Sequence, residues 1–305
     1  MKSELLNQLE QEIKKVKIAS CLIHHENEMV FQYFKNKKME NKLFQMHSVT
    51  KSVISILMGI AIDKGKIDSI KAPISNYLSN VPEDKRNITM EHLLTMTPGY
   101  EWGEFGEWGG RPFPMINSKN WVKFVLEKNM ETEPGMKMAY NSGASHLLSA
   151  ILQKAANDKS SAYAEKELFK PLGITDYRWY EDSKGISIGG FGLCLKSKDM
   201  LKIGIMMLER GGWSNKQLVS DEWVSSSTTA KYHTYDHIGS YGYHWWVLTD
   251  ESPNIFFAMG FGGQYIIVSP SHKLVVVFTS ELYNDTFFPL HIFRKHILQA
   301  IELSR

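Results

Sequence analysis

Apolar residues in this chain recur at strand spacing near both ends and at helical spacing between them, and that order rules out a simple helical bundle or a continuous sandwich. Leu5, Leu6, Leu9, Ile13 and Val16 lie on one face of an amphipathic helix. Two β-rich stretches follow, 18–23 and 29–34, separated by His25-Glu26-Asn27-Glu28, which reads as a hairpin. Helical signals then dominate to about residue 207. A helix is expected over 49–64, with Val53, Ile54, Leu57, Met58, Ile60 and Ala61 on its apolar face and Gly65 as its stop. Others are expected over 90–96 with Thr89 as N-cap, from Asn117 or Ser118 through 128, over 142–156, and over 160–169. The last third returns to strands, at 241–248, 255–259, 264–268 and 274–279, and closes with a helix over 288–303.

The packing this order favours joins the two ends into one antiparallel sheet flanked by the terminal helices. The expected architecture is α+β: a discontinuous sheet domain of residues 1–46 and 208–305, and a mainly helical domain of 47–207 inserted between. Sites commonly form where two such units meet. One segment, 100–114, is rich in Gly, Trp and Phe and has no clean period. It reads as a loop that either covers a site or packs on itself.

Composition excludes several function classes. A formal net charge of +2 over 305 residues gives no global basic field for nucleic acid or an anionic membrane. Lys14, Lys15 and Lys17, and Lys35, Lys37 and Lys38, read as solvated local clusters. Two cysteines, Cys21 and Cys194, do not make a disulfide scaffold, and their apolar neighbours describe small buried side chains. Residues 1–17 carry Glu4, Glu10 and Glu12 and no continuous apolar run, unlike a signal peptide or a membrane span. A soluble, cytoplasmic protein acting on a small molecule is expected.

The chemistry concentrates at Met46-His47-Ser48-Val49-Thr50-Lys51-Ser52, which holds the only Ser-x-x-Lys in the chain. If Ser48 opens the helix, residues three apart share a face and the Lys51 amine reaches the Ser48 hydroxyl. The unpaired N–H groups at a helix start suit a developing oxyanion, and the positive helix end favours a neutral Lys51. Serine requires such a partner because its free hydroxyl is a weak nucleophile. By itself the motif recurs about once or twice by chance in a chain of this length, and it equally describes a serine N-cap with a solvated lysine.

In context, His47-Ser48-Val49-Thr50-Lys51-Ser52 with Gly65-Lys66-Ile67 resembles the nucleophile helix of class C β-lactamase-related serine hydrolases. Further landmarks of that family follow in order. They are Ile88 to Gly99, Pro134-Gly135 before Tyr140-Asn141-Ser142, Gly189-Gly190-Phe191-Gly192 before Lys198-Asp199-Met200, Tyr241-Gly242-Tyr243-His244-Trp245-Trp246, and Gly260-Phe261-Gly262-Gly263-Gln264. Together they span about residues 45 to 270. The resemblance implies a penicillin-binding-protein-like fold with Ser48 as nucleophile, Lys51 as its base and Tyr140 as proton shuttle. It aligns the backbone N–H groups of Ser48 and Gln264 with the oxyanion donors.

Two departures from the family pattern bear on substrate. Ser142 stands where asparagine is usual. Phe261-Gly262-Gly263 replaces the Lys/His-Thr/Ser-Gly motif, removing a cation that meets a substrate carboxylate. The resemblance therefore leans to the esterase and 6-aminohexanoate-dimer hydrolase branch, with a β-lactamase or D,D-peptidase as the enzymatic alternative and a catalytically silent binding relative as the non-enzymatic one. Ser142, Phe261, Gly262, Gly263, Trp102 and Trp246 are the candidate substrate contacts. Trp245 and Trp246 alternate on an expected strand, so that one faces the core and the other the cleft. No cofactor is implied.

Lesser motifs are weaker. Gly185-Ile186-Ser187-Ile188-Gly189 matches a nucleophile elbow formally, but charged residues precede it and glycines follow where a strand and a helix are required. Cys194 reads as core. His24-His25-Glu26 lacks the helical spacing of a metalloprotease site, and no cluster has zinc-like spacing, so no metal is expected.

Overall fold

The computed structural model describes residues 3–235, 238–248 and 255–303. Its central element is an eight-stranded antiparallel sheet assembled from both ends of the chain. In spatial order the strands are Glu28–Phe34, Ile18–His25, Leu274–Ser280, Gln264–Ser269, Ile255–Gly260, Trp246–Leu248, Ser240–Tyr241 and Tyr232–His233. The join lies between Ile18–His25 and Leu274–Ser280, with Cys21 opposite Phe278 and Ile23 opposite Val276. The hairpin 18–34 turns through Glu26 and Asn27, both at positive φ. Every residue of Gln264–Ser269 and Leu274–Ser280 is buried. Full burial of each Val, Ile or Leu there contributes roughly 1.5–3 kcal/mol.

Helix Ser197–Leu208 packs on the two central strands, and helix Ser3–Lys14 packs along the closing helical run 288–302. The fold is α+β, as expected. The helix Val49–Asp63 lies between strands Ile255–Gly260 and Gln264–Ser269 on one side and helix Ser142–Ala156 on the other. Residues 49–61 are all buried, so this helix is enclosed all round rather than on one face. Ser48 is its N-cap residue and Lys64 its C-cap, followed by Gly65 at φ 63°. The nucleophile candidate therefore sits at the rim of the most enclosed helix in the chain.

A second, three-stranded sheet pairs Phe44–Gln45 with Leu193–Leu195, and Leu193–Leu195 with Arg178–Trp179. It brings the glycine-rich segment 189–192 alongside Ser48. The Met46 N–H donates to Leu193 O at 2.8 Å, and the Leu193 N–H to Thr50 Oγ1 at 3.2 Å. Gly189 is obligatory there, because a Cβ would stand 2.1 Å from Ser145 O.

Three expectations need correction. The stretch 241–248 is two short strands, Ser240–Tyr241 and Trp246–Leu248, folded against each other with Tyr241 opposite Trp246. A straight strand is impossible because Gly242 approaches Ser227 O so closely that a Cβ would lie 2.3 Å away, and His244 is at φ 60°. With the chain reversing at 242–245, Trp245 and Trp246 do not alternate across a sheet; both are buried. The helix expected from Asn117 or Ser118 starts later: Asn120 caps Trp121–Leu126, while Asn117 ends a short helix Phe113–Ile116.

Candidate active site

Ser48 opens into a cavity of about 480 Å³ whose lining includes His47, Glu104, Ser142, Phe261 and Gln264. Helical geometry makes the first contact: Lys51, one turn on, places its Nζ 3.0 Å from Ser48 Oγ. Two further partners hold the amine. Lys51 Nζ donates to Ser142 Oγ at 3.0 Å and to Gly190 O at 2.8 Å. The first comes from helix Ser142–Ala156, the second from the glycine segment that the small sheet carries in. Lys51 is 1% exposed, and burial pushes its pKa down from 10.5 to about 8, with nearby Glu104 pulling the other way. A lysine so placed is partly neutral near physiological pH, as a general base must be.

Tyr140 completes the group. Its ring faces the Lys51 ammonium position, with Nζ 4.8 Å from the centroid. Burial pushes the phenol well above its ordinary value, with nearby Ser48 pulling the other way, so it stays protonated and can pass a proton without carrying charge. Asn141, beside it, caps helix Ser142–Ala156 by accepting the Ala144 N–H. Trp246 stacks behind Tyr140, with ring centroids 5.8 Å apart and planes 16° apart.

The aromatic segment 100–114 divides its roles. Tyr100, Trp102 and Trp108 pack on one another, with Trp102 edge-on to Trp108 at 4.8 Å. Phe105 instead stacks on Tyr140 at 4.9 Å while remaining 56% exposed, and Arg111, Pro112 and Phe113 line the cavity. Arg111 lays its guanidinium 5.1 Å over the Phe261 ring.

Ser48, Ser142, Phe261 and Gln264 line one cavity, and Lys51 lies behind it, bonded to Ser48 and Ser142 and facing the Tyr140 ring. Gln264 is fastened through its side chain, whose Nε2 donates to Ser280 O at 2.6 Å. Gly262 and Gly263 form the positive-φ turn into that strand; they, Trp102 and Trp246 are not among the residues that line the cavity. Ser187, in the elbow-like motif, is buried away from the cavity and accepts the Ser161 N–H.

Sequence reasoning missed Glu104. This carboxylate, 4% exposed, accepts the Ser142 hydroxyl at Oε1 (2.6 Å), and the Ser142 N–H (2.7 Å) and Trp102 Nε1–H (2.8 Å) at Oε2. Glu104 is the middle of three acids, Glu101, Glu104 and Glu107, in a Glu-aromatic-Gly repeat over 101–109, and nothing in that repeat singles it out. The available clue was Ser142 itself, a hydroxyl where the family pattern has an amide. His244 was likewise read only as part of a motif. It is buried, its Nδ1–H donates to Leu94 O at 2.9 Å, and its Nε2 accepts from Ser145 Oγ at 3.0 Å.

The Beta-lactamase family model matches residues 6–296. The chain belongs to that family. It is 22% identical over 298 residues to a 6-aminohexanoate-dimer hydrolase of Paenarthrobacter ureafaciens, covering 89% of this chain and 74% of the relative. A solved Bacillus anthracis structure with the provisional name 6-aminohexanoate-dimer hydrolase superposes with TM-score 0.80 at 18% identity, covering 96% of this chain and 82% of the other. A class C β-lactamase from Rhodobacter sphaeroides superposes with TM-score 0.77 at 15% identity, covering 98% and 100%. The fold is the β-lactamase and penicillin-binding-protein-like one, and the chain is a member of a hydrolase family. Among the described residues, no helix is long and apolar enough to cross a membrane.

Proposed function

We propose that this chain is a serine hydrolase that cleaves a small ester or amide through an acyl-enzyme on Ser48. The observation that carries this reading is the buried Lys51 Nζ, 3.0 Å from the Ser48 oxygen and 4.8 Å from the Tyr140 ring, where Ser48 lines a cavity. Neutral Lys51 accepts the Ser48 proton as Oγ forms a bond to the substrate carbonyl carbon. The N–H groups of Ser48 and Gln264 hold the oxyanion. As the tetrahedral species collapses, the bond to the leaving oxygen or nitrogen breaks, and Tyr140 delivers a proton to it while drawing one from Lys51. Water then attacks the acyl-enzyme with the same groups running in reverse, releasing the acid and restoring Ser48.

The cavity suits a compact acyl group with both an apolar and a polar part, since Phe113, Ile116, Phe191 and Phe261 share its lining with Lys42, Arg111 and Glu281. An amide bond like that in the relatives' 6-aminohexanoate dimer is one candidate, and a simple carboxylic ester is another. The buried free thiols of Cys21 and Cys194 fit a reducing, cytoplasmic setting. A β-lactamase or peptidase reading gains one point, because Arg111 puts a cation beside Phe261 where the third motif lacks one.

The deciding experiment is hydrolysis of p-nitrophenyl butyrate, nitrocefin and the 6-aminohexanoate dimer by the wild type and by Ser48→Ala. Turnover of the ester or the dimer that vanishes in Ser48→Ala supports the proposal. Equal turnover by both proteins refutes it, and nitrocefin as the preferred substrate moves the assignment to the β-lactamase reading.

A further inference from the structure

We infer that Glu104 is a positioning residue that sets the direction of the hydrogen-bond chain reaching Lys51, and thereby leaves the Lys51 lone pair facing Ser48. The inference rests on the acyl-transfer reading above and adds a residue to it.

A neutral lysine amine has two N–H donors and one lone pair, and Lys51 Nζ has three partners: Gly190 O, Ser142 Oγ and Ser48 Oγ. To act as a base it must spend both hydrogens elsewhere and keep the lone pair for Ser48. Gly190 O is a carbonyl and takes one hydrogen without ambiguity. Ser142 is ambiguous, because a hydroxyl both donates and accepts. If its hydrogen pointed at Lys51, it would occupy the lone pair and turn an N–H toward Ser48, which would oppose proton removal.

Glu104 removes that ambiguity. Its Oε2 is held by two obligate donors, the Ser142 N–H at 2.7 Å and the Trp102 indole at 2.8 Å. Its Oε1 then takes the Ser142 hydroxyl hydrogen at 2.6 Å, a charge-assisted bond. With that hydrogen committed, Ser142 Oγ can only accept from Lys51, and the remaining direction at Nζ is Ser48. The chain Glu104, Ser142, Lys51, Ser48 therefore has one polarity. The same bonds fasten the loop that lays Phe105 across Tyr140. This also accounts for serine at 142: a single hydroxyl passes the polarity from a carboxylate to the amine.

The test is the rate at which a fluorophosphonate labels Ser48, measured against pH from 6 to 9.5. The reaction forms the Ser48 Oγ–P bond, expels fluoride from phosphorus and passes the serine proton to Lys51, so it reads the base without the natural substrate. The titratable and charged groups facing Lys51 are Glu104 from the loop, Tyr140 ahead of helix Ser142–Ala156, His47 before Ser48 and His244 in the 242–245 turn, with Arg111 beyond His47. Burial first, and then nearby positive charge, hold His47 near 4 and His244 near 3, outside the window. Glu104→Gln is the sharp variant. Its amide oxygen can still accept from Trp102 and the Ser142 N–H, while its NH₂ donates to Ser142 Oγ and frees the hydroxyl hydrogen to turn toward Lys51.

The expected result is a plateau labelling rate at least about tenfold below wild type, with an unchanged melting temperature. The acidic limb should also move to lower pH, because the carboxylate that raises the Lys51 pKa is gone. Loss of the charge alone would move the limb and leave the plateau at the wild-type rate, so the plateau reports the direction of the hydrogen-bond chain. Ser142→Ala, which cuts the relay while Glu104 Oε2 keeps its bonds from the Ser142 N–H and the Trp102 indole, should also slow labelling. A wild-type plateau in Glu104→Gln, or a wild-type rate in Ser142→Ala should Glu104→Gln fail to fold, would overturn the inference while Ser48-dependent labelling left the function reading standing. Labelling that persists in Ser48→Ala would overturn both.

Discussion

If neutral Lys51 is the base, pH is the cleanest perturbation of this enzyme. Burial takes the Lys51 pKa from 10.5 to about 8. At pH 7 an ordinary lysine is neutral in about one molecule in 3,000, whereas one with a pKa near 8 is neutral in about one in ten. The 2.5-unit difference is a gain of about 300-fold in competent enzyme, or about 3 kcal/mol, supplied by enclosing the helix that carries the residue. The prediction is that kcat/KM for p-nitrophenyl butyrate, corrected for spontaneous hydrolysis, rises close to tenfold from pH 6 to 7. It should rise again toward pH 8, then level off. Competing titrations are removed by the structure: His47 and His244 are both held far below this window, and Tyr140 is held far above its ordinary value. A kcat/KM that is flat between pH 6 and 8, in a protein whose activity depends on Ser48, would show that the proton goes elsewhere.

Other consequences follow from the same contacts. Tyr140→Phe removes the hydroxyl near Ser48 but keeps the stacking on Phe105 and Trp246; kcat should fall about 10²–10³-fold with the melting temperature nearly unchanged. Lys51→Met should abolish most activity and alter the pH dependence of stability. Between about pH 8 and 10.5 the folded wild type binds fewer protons at Lys51 than the unfolded chain, so raising pH stabilises it, by up to about 3 kcal/mol from this group. Urea unfolding of Lys51→Met should lack that rise, and identical pH slopes in the two proteins would contradict the buried-amine account. Gly204→Ala, on helix Ser197–Leu208, puts a Cβ 2.4 Å from Val275 Cγ1 and 3.0 Å from Ile266 Cγ2. Overpacking of roughly 1–3 kcal/mol should outweigh the helix-propensity gain of about 0.5–1 kcal/mol, and a higher urea midpoint would show that the helix can lift off the sheet.

What could be read from the sequence was whatever local periodicity encodes. Ser48 and Lys51 are three apart at the start of an apolar helix, so a single geometric rule predicted a contact that the structure places at 3.0 Å. The central strands were legible because continuous apolar runs between glycines and prolines have few other uses. The stretch 241–248 was misread because its apolar residues conceal a reversal that is dictated from outside. The Gly242 backbone is pressed against Ser227, and His244 is bonded to Leu94, 150 residues away in sequence. Nothing within eight residues reports either contact.

The candidate site divides in the same way, and the division has a physical cause. Tyr140 and Gln264 carried no spacing signal relative to Ser48; they were placed by the order of motifs resembling a known family. Glu104 had neither kind of signal, since its partner Ser142 lies 38 residues on and its own loop repeats Glu-aromatic-Gly, so that Glu104 is not distinguished from Glu101 or Glu107. Yet Glu104 is the residue that makes the departure at position 142 intelligible. An asparagine presents an acceptor and a donor at fixed ends of one amide, so its polarity is set by its orientation. A serine hydroxyl has no polarity of its own and must borrow one from a neighbour that can only accept. Substituting serine at 142 is compatible with a lysine base only if such a neighbour is supplied in space, and the aromatic loop supplies it. The two features that looked independent in the sequence, an unusual second motif and an aromatic loop, are therefore one solution to the problem of aiming the Lys51 lone pair.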